Sequence, residues 1–180
     1  MKRETTIGDD RFGTGVLRTL ASNMAEMLRE DKTKIMDYRN YNGTIYARID
    51  RGDEIISSVL DICWIEKISS AIFSGIGACG DVEIQTYIAE SNTFEMQRLQ
   101  GMLELVSLTG NIISDDNGEL YHHTHAVLSY LENGEHAVAA GHMKSLTVSY
   151  TAEVEIRPVT GGSIRRKYDE ETGTGFWDFE

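Results

Sequence analysis

Three histidines carry the strongest chemical signal in this chain. His123 and His125 stand two apart in the run Tyr-His-His-Thr-His, and His142 follows in Gly-His-Met after a short predicted hairpin. Side chains two apart on a β-strand point to the same face, so the first two imidazoles form a pair. The hairpin can return His142 beside them. Three neutral imidazoles around one point are a ligand set for Zn²⁺ or a similar divalent ion, with a fourth position open.

The same histidines also have a plainer interpretation. Histidine occurs on strands as an ordinary polar residue, and two of the five, His122 and His136, have no obvious partner in the sequence. Spacing alone therefore leaves open both a metal site and a set of unconnected polar residues.

Glu104 is the candidate catalytic carboxylate for such a site. On a strand it would share a face with the apolar residues Met102, Val106 and Leu108. A carboxylate on an apolar face is costly unless it is paired or protonated. It could therefore lie near the histidines, as their hydrogen-bond partner or as an acid or base. The alternative is a glutamate at a sheet edge that reaches solvent.

Residues 75–80 read Gly-Ile-Gly-Ala-Cys-Gly and match the Gly-x-Gly-x-x-Gly fingerprint of dinucleotide-binding folds. The fingerprint works only where a strand leads into it and a helix N-terminus follows it. Here residues 81–88 alternate like a strand, so no helix dipole would meet a pyrophosphate. We interpret the glycines as a tight connection between two strands.

The elements that must position these residues are mostly strands. Residues 146–156 alternate apolar and polar side chains most clearly, and Asn117-Gly118 and Asn133-Gly134 predict hairpin turns. One helix is predicted from about 53 to 67, where apolar residues repeat at helical spacing behind an acidic start. Further strands are predicted over 43–50, 71–74, 82–88, 93–99 and 103–113. One helix packed on a mainly antiparallel sheet makes an α+β domain.

The chain divides by composition into three parts. Residues 1–37 form an N-terminal extension with an amphipathic helix predicted near 16–30. Residues 38–173 form the single compact domain, and residues 174–180 form an acidic tail that we expect to be mobile. The apolar stripe of the first helix must pack against the domain or against another subunit.

Charge and composition narrow the classes of partner. The chain has 180 residues, with 17 basic and 29 acidic side chains and a formal net charge of −12. Such a chain is not drawn as a whole to phosphate backbones. Arg165, Arg166 and Lys167 form the only dense basic cluster and are the candidate contacts for nucleic acid, unless they are a solvated strand end.

No apolar stretch suits a membrane span or a signal peptide, and the two cysteines match no zinc motif. We therefore expect a cytoplasmic protein.

Several stretches taken together resemble one known family. These are residues 45–55, 73–78 and 101–112, then His123-Thr124-His125, Gly141-His142 and residues 165–173. They run in the family's order from about residue 38 to 173. The chain resembles the PPC domain (plants and prokaryotes conserved), also called PCC or DUF296, in its stand-alone prokaryotic form.

The resemblance implies a domain built on an antiparallel sheet that assembles as a homotrimer. Stand-alone prokaryotic members resemble metal-containing proteins whose ligands map onto His123, His125 and His142, with zinc the expected metal. Plant members join the domain to AT-hooks, which grip the DNA minor groove through Arg-Gly-Arg-Pro. That sequence is absent here, and a trimer would triple the negative charge, which opposes duplex binding.

Three functions follow as hypotheses. The first is a DNA-binding or regulatory PPC-domain protein that carries a three-histidine metal site. The second is a metal-dependent enzyme or small-ligand-binding protein, in which the ion would activate water or polarise a carbonyl. The third is a trimeric scaffold with a structural metal. The sequence names no substrate, and it leaves open whether the protein is an enzyme.

Overall fold

Strands dominate the part of the chain that the computed structural model describes, residues 37–91 and 93–179. The elements of this part are β1 (Asp37–Tyr41), β2 (Thr44–Asp50), α1 (Ile55–Ile65), β3 (Ser70–Ile88), β4 (Thr93–Ser114), β5 (Leu120–Glu132), β6 (Glu135–Pro158), β7 (Ile164–Asp169) and β8 (Thr174–Phe179). A mainly antiparallel sheet with one main helix is therefore confirmed for these residues. The helix predicted near 16–30 lies outside them.

All strands belong to one sheet, in the order β1-β2-β6-β3-β4-β7-β8, and β5 pairs with both β4 and β6. Pairing is antiparallel throughout except between β4 and β7, which meet in parallel at Ser114 and Arg165. Since β3 also pairs with both β4 and β6, the four central strands form a closed circuit of pairings. Closure leaves these strands with few free edges and an inner face that can be filled by side chains.

The inner face carries the hydrophobic core. Strand residues alternate between this face and solvent, as the period-two pattern of the last long strand predicts. Helix α1 adds its own apolar side to the same cluster. The fully buried large side chains are Ile45, Ile49, Ile55, Val59, Ile62, Leu105, Leu108, Ile112, Leu128, Met143, Leu146 and Ile156.

The glycine-rich segment lies inside a single long strand, so the predicted connection between two strands is wrong. Strand β3 runs without a break through residues 75–80, with register shifts between Gly75 and Gly77 and between Cys79 and Asp81. A Cβ built on Gly75 would lie 2.7 Å from the carbonyl oxygen of Glu153 on β6. The glycine therefore allows the neighbouring backbone to approach closely. The strand continues to Ile88, so no helix follows the glycines as a dinucleotide site requires.

The C-terminal residues form a hairpin where the sequence predicts a tail. Strand β8 pairs antiparallel with β7 over Thr174–Phe179. In the turn between them, the carboxylate of Asp169 accepts hydrogen bonds from the backbone N–H (2.9 Å) and the hydroxyl (2.7 Å) of Thr172. The side chain thus fixes the turn, as aspartate commonly does in loops.

Glu54 joins the helix to the sheet. Its carboxylate accepts hydrogen bonds from the backbone N–H groups of Ile56 (3.2 Å) and Ser57 (2.7 Å) at the start of α1. It also accepts one from the backbone N–H of Leu146 on β6, at 2.9 Å. One side chain therefore caps the helix and holds it beside the strand that carries His142.

None of the helices in the described part of the chain is long and apolar enough to span a membrane.

We predict that Glu54→Ala lowers the free energy of unfolding by about 2 kcal/mol, because three backbone donors lose a charged acceptor. Urea unfolding measures this change. Asp53→Ala is the matched control, since it removes the adjacent carboxylate but none of these three bonds. Equal losses in the two variants would contradict the role assigned to Glu54.

Candidate metal centre

The three histidines meet where two strands lie side by side. His123 and His125 lie on β5, opposite Asn111 and Thr109 of β4, and His142 of β6 pairs directly with His125. Thr124, between the first two, is fully buried. Because side chains alternate along a strand, its two neighbours point outward, onto the outer face of the sheet.

The distances among the imidazoles suit a shared ion. The ring centroids lie 5.0 Å apart for His123 and His125, 5.2 Å for His123 and His142, and 5.4 Å for His125 and His142. The Nε2 atoms of His123 and His125 are 3.1 Å apart, and one ring nitrogen from each residue lies within 4.8 Å of the others. Tetrahedral zinc with Zn–N bonds of about 2.0–2.1 Å needs nitrogens about 3.3 Å apart. The donor set and spacing therefore fit zinc.

Electrostatics favours the neutral imidazoles that a metal requires. Burial lowers the pKa of His123, and the nearby imidazole of His125 lowers it further. The pKa of His142 is also lowered, first by burial and then by the neighbouring histidines. Both rings are therefore held in the unprotonated form that coordinates divalent ions.

The other two histidines lie apart from the group, as the sequence predicts for His122. Its Nδ1 lies 3.1 Å from the hydroxyl of Thr124, on the opposite side of β5 from His123 and His125. Burial lowers the pKa of His122 as well. His136 pairs with Leu131 near the end of the β5–β6 hairpin. Among the described residues, only His123, His125 and His142 form a group that could hold a metal.

Aromatic side chains that no sequence motif singled out flank the group. The ring centroid of Phe94 lies 6.1 Å from that of His142 and 5.4 Å from that of Tyr87. On the other side, the indole N–H of Trp177 donates to the side-chain oxygen of Asn111 at 3.4 Å. The β7–β8 hairpin thus reaches back to the histidine-bearing face. Three aromatic residues within 174–179 were a signal for a strand there.

A family model described as the Plants and Prokaryotes Conserved (PCC) domain matches residues 36–160. The chain belongs to this family. No curated protein matches the chain.

Solved structures share the PCC fold. A plant- and prokaryote-conserved (PPC) protein from Pyrococcus horikoshii is 29% identical, with a TM-score of 0.67 over 79% of this chain and 94% of that chain. A metal-containing protein from Archaeoglobus fulgidus is 28% identical, with a TM-score of 0.66 over 79% and 97%. A protein from Bacteroides thetaiotaomicron, provisionally named as DNA-binding, is 24% identical, with a TM-score of 0.73 over 80% and 97%. The likeness to the Bacteroides protein, at 24% identity, shows the fold of this chain alone.

Glu104 lies apart from the histidines in this PCC domain. It pairs with Ser129, whereas His125 pairs with Thr109, five positions farther along β4. At about 3.3 Å per residue, that is a separation of about 17 Å within the chain. Glu104 instead lines a shallow depression with the exposed side chains of Met102 and Val106. The predicted proximity to the metal ligands is therefore not found within one chain.

The basic cluster of Arg165, Arg166 and Lys167 lies beyond the residues that match the PCC family and does not present one surface. The guanidinium of Arg166 lies 4.5 Å above the ring of Tyr121, in a cation–π contact. Arg165 points to Asp116, with 3.6 Å between the charged atoms, and Lys167 is exposed. Since neighbours on a strand face opposite ways, the three charges are divided between two sides of β7.

Proposed function

We propose that this PCC-domain protein binds a divalent metal ion, zinc in the first place, through His123, His125 and His142. The observation that carries the proposal is the convergence of three ring nitrogens within 4.8 Å on adjacent strands. The depressed pKa values of His123 and His142 support it, because they remove the competing protons. The naming of the Archaeoglobus relative as metal-containing also supports it.

The ligand set favours a site that takes a further ligand. Three imidazoles leave one position of a tetrahedral ion free, and an ion with an open position can acidify water or polarise a carbonyl. The chain's own part is to hold the three rings on neighbouring strands, all of them facing outward. His125 and His123 lie opposite Thr109 and Asn111, whose polar side chains border the site on β4. We therefore favour ligand binding or catalysis over a purely structural ion.

We predict that the protein holds about one equivalent of zinc per chain and that His123→Ala loses most of it, because two imidazoles bind far more weakly than three. Metal analysis of untagged protein by mass spectrometry measures this. His136→Ala is the matched control, since it removes a histidine from the same β5–β6 hairpin outside the group. Glu104→Gln should also keep its metal.

Two results would contradict the metal site. One is a wild-type protein that contains no metal after zinc loading and dialysis. The other is equal metal content in His123→Ala and in the control.

The pH dependence of zinc binding provides a second check. Zinc affinity should hold at pH 7 and weaken only below the ordinary histidine pKa of about 6.5, because the pKa values of His123 and His142 are lowered, approaching tenfold per pH unit for each imidazole that must lose a proton.

We also propose that the protein assembles as a homotrimer through its outer face. Four large apolar side chains lie together there and line a depression of about 530 Å³ with Glu104: Ile76, Met102, Val106 and Tyr150, which are 56%, 50%, 54% and 70% exposed. Grouped apolar side chains of this size commonly mark an interaction surface. The resemblance to the PPC family supplies the number of subunits.

We predict that Val106→Glu converts the assembly to monomers, because it places a charge within this apolar group. Sedimentation velocity measures the mass. Tyr168→Glu on β7 is the matched control, because its side chain is similarly exposed (59%) but lies outside the group. A wild-type monomer, or a trimer that persists in Val106→Glu, would contradict the proposal.

DNA binding is the second candidate function. It is favoured by the provisional name of the Bacteroides relative and opposed by the net charge of −12. If DNA is bound, removing Arg165, Arg166 and Lys167 together should weaken duplex affinity at low salt and flatten its salt dependence. Fluorescence anisotropy with a labelled duplex measures both, and Arg39→Ala is the control. Undetectable binding by the wild type at low salt would exclude this candidate.

A further inference from the structure

A depression walled by aromatic rings adjoins the histidine group. Tyr87 and Phe94 from the β3–β4 hairpin and Phe176 from β8 line it, and the turn over 171–174 completes it. Its volume is about 650 Å³, within the range of small-molecule sites. The three rings are about half exposed, at 51%, 53% and 49%. Aromatic faces left open to water around one space favour a flat apolar occupant.

The depression and the histidine group share a wall. The ring of Phe94 borders the depression, and its centroid lies 6.1 Å from that of His142. This is within the range at which aromatic rings pack against one another. A ligand that coordinates an ion at the histidines would therefore need only a short link to place an apolar group against Phe94.

The walls are held in place before any ligand arrives. Trp177 hydrogen-bonds to Asn111, and Arg166 lies over Tyr121, so the C-terminal hairpin is fixed to the face that carries the site. Asp169 fixes the turn beside the depression by its two bonds to Thr172. A preformed wall lowers the entropy cost of binding.

Charge sets the direction in which a ligand would lie. An ion at the histidines attracts an anionic donor, whereas the carboxylate of Glu171 lines the depression and repels one. The anionic end of a ligand is therefore directed to the histidines and its apolar end to the aromatic rings. An organic cation against the rings would benefit from Glu171 but would be repelled by the nearby metal ion.

We propose that the aromatic depression recognises the flat apolar part of a small acid whose anionic donor group coordinates the metal. This inference rests on the metal site proposed above and adds its ligand class. The contacts that carry it are the rings of Phe94 and Phe176, with Glu171 excluding a second anionic end.

The test compares two probes that share a donor group. Acetohydroxamate and benzohydroxamate present the same chelating group, and only the second adds a ring. Isothermal titration of the zinc-loaded protein should show benzohydroxamate binding about tenfold more tightly. In Phe94→Ala and Phe176→Ala the preference should fall below about threefold, while acetohydroxamate affinity and zinc content stay unchanged. Two variants on separate hairpins guard against a folding defect in one of them.

Phe179→Ala is the matched control. Phe179 lies on the same strand as Phe176 and contacts Trp177 at a centroid distance of 6.0 Å, but it does not line the depression. It should keep the full preference. Equal affinity for the two hydroxamates, or a preference that survives in both Phe variants, would overturn the ligand class while leaving the metal site intact. Binding of benzyltrimethylammonium in place of benzohydroxamate would also overturn it. Failure of the wild type to hold zinc would overturn both proposals.

Discussion

The pairing of β6 with two strands at one point is the constraint on which the site depends. His142 lies opposite Gln85 of β3 on one side and opposite His125 of β5 on the other. A slip of one residue in either pairing would turn His142 toward the core and separate it from the other rings. The inner face prevents this slip, because the neighbouring Met143 is fully buried and Ile84 nearly so. The core thus sets the register that brings the imidazoles together.

Close approach of the strands at this point needs a residue without a side chain. A Cβ built on Gly141 would lie 2.9 Å from Cγ2 of Ile84. The β3–β6 ladder also changes register between Glu83 and Ile84. The glycine before His142 therefore lets β6 pass the buried side chain of β3 while the histidine remains on the outer face. Gly141 thus sets the path of the strand, and His142 next to it supplies the candidate metal ligand.

Local patterns were enough to predict the β4–β5 and β5–β6 hairpins and the histidine face. Asn133 and Gly134 both have positive φ angles, of 54° and 86°, as a tight hairpin turn requires. Such turns are decided by two residues, so the sequence shows them directly. The alternation along β5 and β6 is equally local, and it correctly places His123 and His125 on one face.

Features that depend on distant partners could not be predicted in this way. The glycine-rich part of β3 has weak strand propensity, and pairing on both sides holds it straight through. The C-terminal hairpin lies against the sheet through contacts such as Trp177 with Asn111, 66 positions apart. The position of Glu104 away from the histidines could not be predicted for a related reason. The register shift between Leu105 and Ser107 buries Leu108, so Glu104 shares its face with exposed residues only.

The size of the core bears on what a metal would do here. Structural zinc sites are typical of small domains that cannot bury enough apolar surface to fold alone. In this domain the strands that carry the three histidines are already joined by their own ladder and by a core of large buried side chains. An ion would therefore add little that the fold lacks. Three imidazoles would leave such an ion one open position, and this position and the aromatic rings beside the histidines would serve the binding of a ligand better than the stability of the domain.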